Sequence, residues 1–100
     1  MASKRATTEN LFAVLAVYEH GSYGAAADAL ERDSGTVRYH LAAAREAYGD
    51  DVLVYDSGRW QATTTGLRVL DIARKARALH ADLRGIDTTG SVSGTAEGAA

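Results

Sequence analysis

Neither cysteine nor proline occurs in this chain of 100 residues, and there is only one tryptophan and one phenylalanine. Without cysteine no disulfide can form, and thiolate zinc sites are excluded. His20, His40 and His80 lie far apart, with no paired carboxylates at ligand spacing, so neither a metal nor a cofactor is expected. A signal peptide is missing, and so is any run of 18 apolar residues, which leads us to expect a soluble, cytoplasmic chain without membrane contact. No Gly-rich phosphate loop follows a strand-like run and no nucleophile elbow surrounds a serine, so the chain is not expected to be an enzyme. An excess of positive charge is lacking too: the formal net charge is −2.

The most informative segment present is residues 21 to 49, GSYGAAADALERDSGTVRYHLAAAREAYG. Its first half is alanine-rich: Ala25, Ala26, Ala27 and Ala29 let a helix approach its neighbour closely, and Leu30 adds a larger apolar anchor. Asp33 and Ser34 are both good N-caps for a second helix, able to accept free backbone N–H bonds at its start. In that helix Val37, Leu41, Ala44 and Tyr48 recur at steps of four, three and four, one face of a helix expected to meet the core. By subtraction Thr36, Arg38, Tyr39, Ala42, Ala43 and Arg45 lie on its sides and open face. A short helix, a polar turn and a longer helix carrying arginines outward is the pattern of a helix-turn-helix that reads a DNA groove.

The flanks add three elements. Leu11, Val14, Leu15 and Tyr18 predict an amphipathic helix starting near Thr7 or Thr8 and ending at a left-handed Gly21. Val52-Leu53-Val54-Tyr55 and Arg59-Trp60-Gln61-Ala62 surround Asp56-Ser57-Gly58 and predict a β-hairpin, a wing. Thr63 is placed to cap a last helix running to about Arg84. There, Val69, Ile72, Ala76, Leu79 and Leu83 follow the a/d spacing of a coiled-coil seam, while Leu67, Leu70 and Ala73 form an adjacent strip suited to pack on the wing domain. A chain this short has one core to offer, so the second strip implies a partner and predicts a homodimer. The alternative is a broad stripe that faces the core.

From Leu11 to Leu83, without a gap, the chain resembles the N-terminal winged helix-turn-helix of the LysR-type transcriptional regulators, with the N-terminal domain of molybdate-responsive regulators the nearest relative. The resemblance rests on Gly21-Ser22-Tyr23, on Ala26-Ala27 and Leu30, on Val37 and Leu41, on Tyr48-Gly49, and on Ala62-Thr63 with Gly66. It implies a fold that is mainly α with a small β-hairpin, a winged helix-turn-helix followed by a long dimerisation helix. In that family the equivalent helix pairs two subunits antiparallel. Departures cluster at the turn: Arg32 stands where the family buries an apolar residue, Asp33-Ser34-Gly35 where Ser-Gln-Pro is usual, Arg38 where Ser is common and Tyr39 where Arg or His is common. The methylene stem of Arg32 can cover core while its guanidinium reaches out, and Gly35 loosens a turn that proline would preorganise.

These readings divide the chain into a basic N-terminal arm (1–6, with Lys4 and Arg5), the winged helix-turn-helix (7–63), a linker and dimerisation helix (64–84), and a disordered Gly, Ser, Thr and Ala tail (85–100) with no room for an effector-binding domain. The candidate DNA-contacting set is Ser22, Arg32, Ser34, Gly35, Thr36, Arg38, Tyr39, Ala42, Arg45 and Arg59, and the partner is double-stranded DNA. The candidate dimer contacts are Val69, Ile72, Ala76, Leu79 and Leu83. Each has a blander reading: Arg38, Arg45 and Arg59 as solvated charges, His40 as a satisfied half-buried side chain instead of a base contact, and Trp60 as packing between wing and core.

Charge opposes the DNA reading. Leu11 to Gly66 holds four bases against eight acids, a balance of −4, whereas residues 67 to 84 hold five bases against two acids, a balance of +3. Most of the non-specific affinity for DNA comes from neutralising phosphates, so the reading requires the acids to sit behind the reading face. The expected function is a sequence-specific, dimeric DNA-binding repressor. The alternative is a winged-helix interaction module that binds a protein, or forms mixed dimers with a longer regulator through Val69 to Leu83.

Overall fold

The computed structural model describes residues 5–89 and has the element order α1 (Thr8–His20), α2 (Tyr23–Leu30), α3 (Ser34–Tyr48), β1 (Leu53–Asp56), β2 (Arg59–Ala62) and α4 (Thr64–Thr89). Four helices and one antiparallel hairpin make a winged helix-turn-helix, mainly α as the sequence implies.

Capping residues set the helix bounds. Thr7 is the N-cap of α1: its hydroxyl accepts from the Asn10 N–H at 3.1 Å, while Asn10 Oδ1 accepts from the Thr7 N–H at 2.9 Å, a reciprocal box. Gly21, at φ +87°, ends α1 in the left-handed region and donates to the Val17 carbonyl. Ser22 caps α2 by accepting from the Ala25 N–H at 3.0 Å. Of the two candidate caps of α3, Asp33 holds the position, its carboxylate accepting from the Thr36 N–H at 2.7 Å, and Ser34 is the first helical residue. At the end of α2, Glu31 occupies the left-handed region at φ 57°, although it carries a Cβ.

α1 is the central helix. It packs against α2, α3, α4 and β2, so Ala13, Ala16 and Val17 are buried along with the expected Leu11, Val14 and Leu15. Helix α2 lays Ala26 and Ala27 into the core, and α3 contributes Val37, Leu41 and Ala44. Each fully buried Leu or Val is worth about 1.5–3 kcal/mol of transfer free energy. Tyr18 and Tyr48, expected on core faces, are instead exposed at 37% and 38%. Both lie at helix ends, where the stripe outruns the partner it packs on.

In the wing, Leu53 pairs with Ala62, Tyr55 with Trp60 and Asp56 with Arg59, which leaves Ser57-Gly58 as a two-residue turn. Both residues have positive φ, 53° and 80°, the signature of a type I′ turn that matches strand twist. Val52 enters the core just before β1.

The start of α4 explains the Thr63 and Gly66 spacing. The Thr63 hydroxyl accepts from the Gly66 N–H at 2.9 Å and donates to the Asp51 carbonyl at 2.6 Å, and the Thr63 N–H donates to the Val52 carbonyl at 3.1 Å. That seats the helix on the chain entering β1 so closely that a Cβ on Gly66 would lie 1.8 Å from the Val52 carbonyl oxygen.

Two expectations for α4 are corrected. Val69, assigned to the partner seam, is 1% exposed and belongs to this chain's own core with Leu70 and Ala73; Leu67, assigned to the core strip, is 59% exposed. α1 covers a face centred between the two strips predicted from spacing, so the boundary falls elsewhere. The helix also continues past Arg84 to Thr89, into the segment expected to be disordered. The rest of that tail, and Lys4 of the basic arm, lie outside the described residues.

Candidate nucleic-acid interface

Helix α3 is held by contacts on its inner side and leaves a polar outer side. Besides its three core residues it places His40 against α1. The buried Asn10 offers its amide Nδ2 to His40 Nδ1 at 2.7 Å, which leaves Nε2 to carry the proton toward Glu9 Oε1 at 3.3 Å. His40 is thus half-buried with both nitrogens partnered. Glu9 also takes Arg32 Nη2 at 3.2 Å, so one carboxylate ties the α2–α3 turn and α3 to the start of α1.

Outward lie Ser34, Gly35, Arg38, Tyr39, Ala42 and Arg45, all exposed, with Thr36 half-buried. Ser22, Arg32 and Arg59 are exposed too. Ser22 spends its acceptor on capping but keeps a hydroxyl proton to donate. A Cβ on Gly35 would come within 3.2 Å of the capping Asp33 carboxylate, so the small residue leaves that cap room. The hydrogen bond from the Thr36 N–H, chief among several, holds the Asp33 carboxyl below its ordinary pKa.

The acids do not all stand behind the arginines. Arg45 Nε meets Asp51 Oδ1 at 2.9 Å on the outer side, and Arg32 is held by Glu9. These pairs are half-exposed or more on their side chains, and such surface pairs contribute roughly 0–1 kcal/mol, so a phosphate can displace the carboxylate at small cost. Arg38 forms no ion pair among the described residues. Its guanidinium carbon lies over the Tyr23 ring, 4.7 Å from the centroid. Tyr23 in turn meets Trp60 edge-on at 5.4 Å, and Trp60 meets Tyr55 at 5.2 Å. This aromatic row joins the reading helix to the wing across a groove of about 300 Å³ lined by Arg38, Ala42, Arg45, Asp51 and Trp60 among others. Trp60 packs between wing and core.

The sequence pattern did not reveal Asn10, Asp51 or the Tyr23 ring as parts of this surface. Only Asn10 carried a signal, a polar residue inside the apolar α1 stripe at the third position after a threonine cap. Elsewhere, Glu19 binds Arg77 through two hydrogen bonds of 2.8 and 3.1 Å, tying α1 to α4. That pairing, more than any other cause, depresses the Glu19 carboxyl pKa.

The profile of the bacterial regulatory helix-turn-helix proteins, lysR family, matches residues 8–67. The chain belongs to the LysR family. The matched stretch of this LysR-type domain runs from the first residue of α1 through the entry to α4 and takes in every candidate DNA-contact residue. Similar solved structures include the CbnR DNA-binding domain in complex with DNA (21% identity, TM-score 0.68, covering 84% of this chain and 97% of that one). An OxyR C206 mutant from Corynebacterium glutamicum has 17% identity and TM-score 0.79, covering 88% of this chain and 28% of its own. ArgP from Mycobacterium tuberculosis has 25% identity and TM-score 0.71, covering 84% and 32%. The chain therefore spans about a quarter to a third of the length of these larger regulators. No curated protein matches it. Among the described residues there is no helix long and apolar enough to cross a membrane.

Proposed function

We infer that this LysR-type domain is the DNA-binding part of a dimeric transcriptional repressor, acting in the cytoplasm by occupying its site. α3 lies in the major groove with Arg38, Tyr39, Ala42 and Ser34 toward base edges, the wing tip at Arg59 follows the adjacent backbone, and Ser22 and the start of α2 meet phosphate. The observation that carries this reading is the exposed guanidinium of Arg38, which lies over the Tyr23 ring and forms no ion pair among the described residues, whereas Arg32 and Arg45 on the same face are each paired with a carboxylate. Two copies meet through the apolar strip that remains exposed on α4, Ile72, Leu79 and Leu83, with the half-buried Ala76 between them. Two heads on rigid helices then select a spaced pair of half-sites.

The test is retardation of genomic DNA fragments at low and moderate salt. Retention that weakens steeply with salt is the expected result; no retention even at low salt removes the reading. Arg38→Ala should bind at least 10-fold more weakly, and an Arg38→Ala protein that binds like the parent takes Arg38 off the surface. The balance of −4 and the pairs Arg45–Asp51 and Arg32–Glu9 favour a second reading, an interaction module that forms mixed dimers with a longer regulator. Sedimentation alone and with such a regulator separates the two.

A further inference from the structure

We propose that Arg38 reads a guanine, and that Tyr23 is the positioning residue that orients it. This deepens the DNA-binding reading and rests on it. Arg32 and Arg45 each have a carboxylate partner, so each can trade one anion for another, a role that suits phosphate contacts. Arg38 differs from both, because its guanidinium carbon lies over the face of a ring, 4.7 Å from the centroid. With its carbon over the ring face, the guanidinium keeps N–H donors of its fork for a second partner. The base edge whose two acceptors match that fork is guanine, through O6 and N7. Lysine has the charge without the fork.

The ring under Arg38 is itself braced. Tyr23 is the first residue of α2, behind the Ser22 cap, and it is half-buried. Its ring meets Trp60 at an interplanar angle of 71°, and Trp60 meets Tyr55 at 65° across the paired strands. The wing thus fixes the ring and the ring limits the arginine, so rotamer freedom is restricted before DNA arrives. Arg38 also lies one turn into α3, the part of a recognition helix that meets base edges.

The experiment selects binding sites from a duplex pool randomised over about 30 base pairs at low salt, using the full chain and the variants Arg38→Lys, Arg38→Ala, Tyr23→Phe and Tyr23→Leu, with thermal melts as the folding control. The wild-type sites should hold an invariant G·C pair at one or more positions, preferred about 10- to 100-fold over substituted pairs. Arg38→Lys should lose that preference while its salt dependence stays the same. Tyr23→Phe should retain it, and a folded Tyr23→Leu should relax it. An unchanged site preference in Arg38→Lys overturns the proposal. So does a loss of affinity that is uniform across sequences with a shallower salt slope in Arg38→Ala, since that describes a phosphate contact. Wild-type protein that enriches no sequence and retains no DNA removes the DNA-binding reading itself, whereas the other two failures leave it standing.

Discussion

Gly66 shows how a single hydrogen atom in place of a methyl group sets the join between wing and helix. Because a Cβ there would collide with the Val52 carbonyl, Gly66→Ala must push α4 off the strand entry and break the bonds around Thr63. We expect a loss of roughly 2–3 kcal/mol or more, read as a lowered midpoint in urea or thermal unfolding. Asn10 is the other sensitive position. Asn10→Leu would strip partners from His40 Nδ1 and the Thr7 N–H, both partly buried, at a cost of about 1–3 kcal/mol. Glu19 reports through pH. Its carboxyl pKa is depressed in the folded state, so the stability it contributes is present above the ordinary carboxylate value and lost as pH falls through the lowered folded value. Glu19→Gln should therefore flatten the acid limb of a stability-against-pH curve, and an unchanged limb would show that Arg77 contributes nothing there.

At the scale of elements, capped ends are more legible than faces, whereas the C-terminal end of α4 is not. The threonine, serine and aspartate caps and the glycines at 21, 49 and 58 all stand where their chemistry directs, because a cap needs only neighbours in sequence. Glu31 is the exception: nothing local marks it for the left-handed region, and the turn between α2 and α3 imposes it. Glu31→Gly should relieve that strain and raise stability by up to about 1 kcal/mol, with the circular dichroism spectrum unchanged. Faces depend on what lies opposite. The α4 periodicity gives two strips, yet Val69 of the one is buried and Leu67 of the other exposed once α1 lies beside them.

For the whole molecule the deciding matter is charge placement. On the DNA-binding reading, a chain with net charge −2 presents its contact face by pairing acids with arginines through contacts that phosphate can replace. On the DNA-binding reading, Asp51→Asn should release Arg45, tightening binding several-fold and steepening the salt dependence by about one phosphate equivalent. The measurement is retardation across a salt series. On the dimer reading, Leu79→Asp should leave the winged domain folded while halving the particle mass by sedimentation, because its side chain is 62% exposed and outside the core.

The sequence alone determined the order of elements, the caps at Thr7, Gly21 and Thr63, the Gly-containing turn of the hairpin and the helix that carries the arginines, since each follows from groups a few positions apart. Tertiary structure alone decided what each arginine faces. Arg32 meets Glu9 across 23 positions and Arg77 meets Glu19 across 58, and Arg38 finds a ring on another helix. Periodicity says which side of a helix a residue occupies; only packing brings a particular carboxylate, amide or ring to that side.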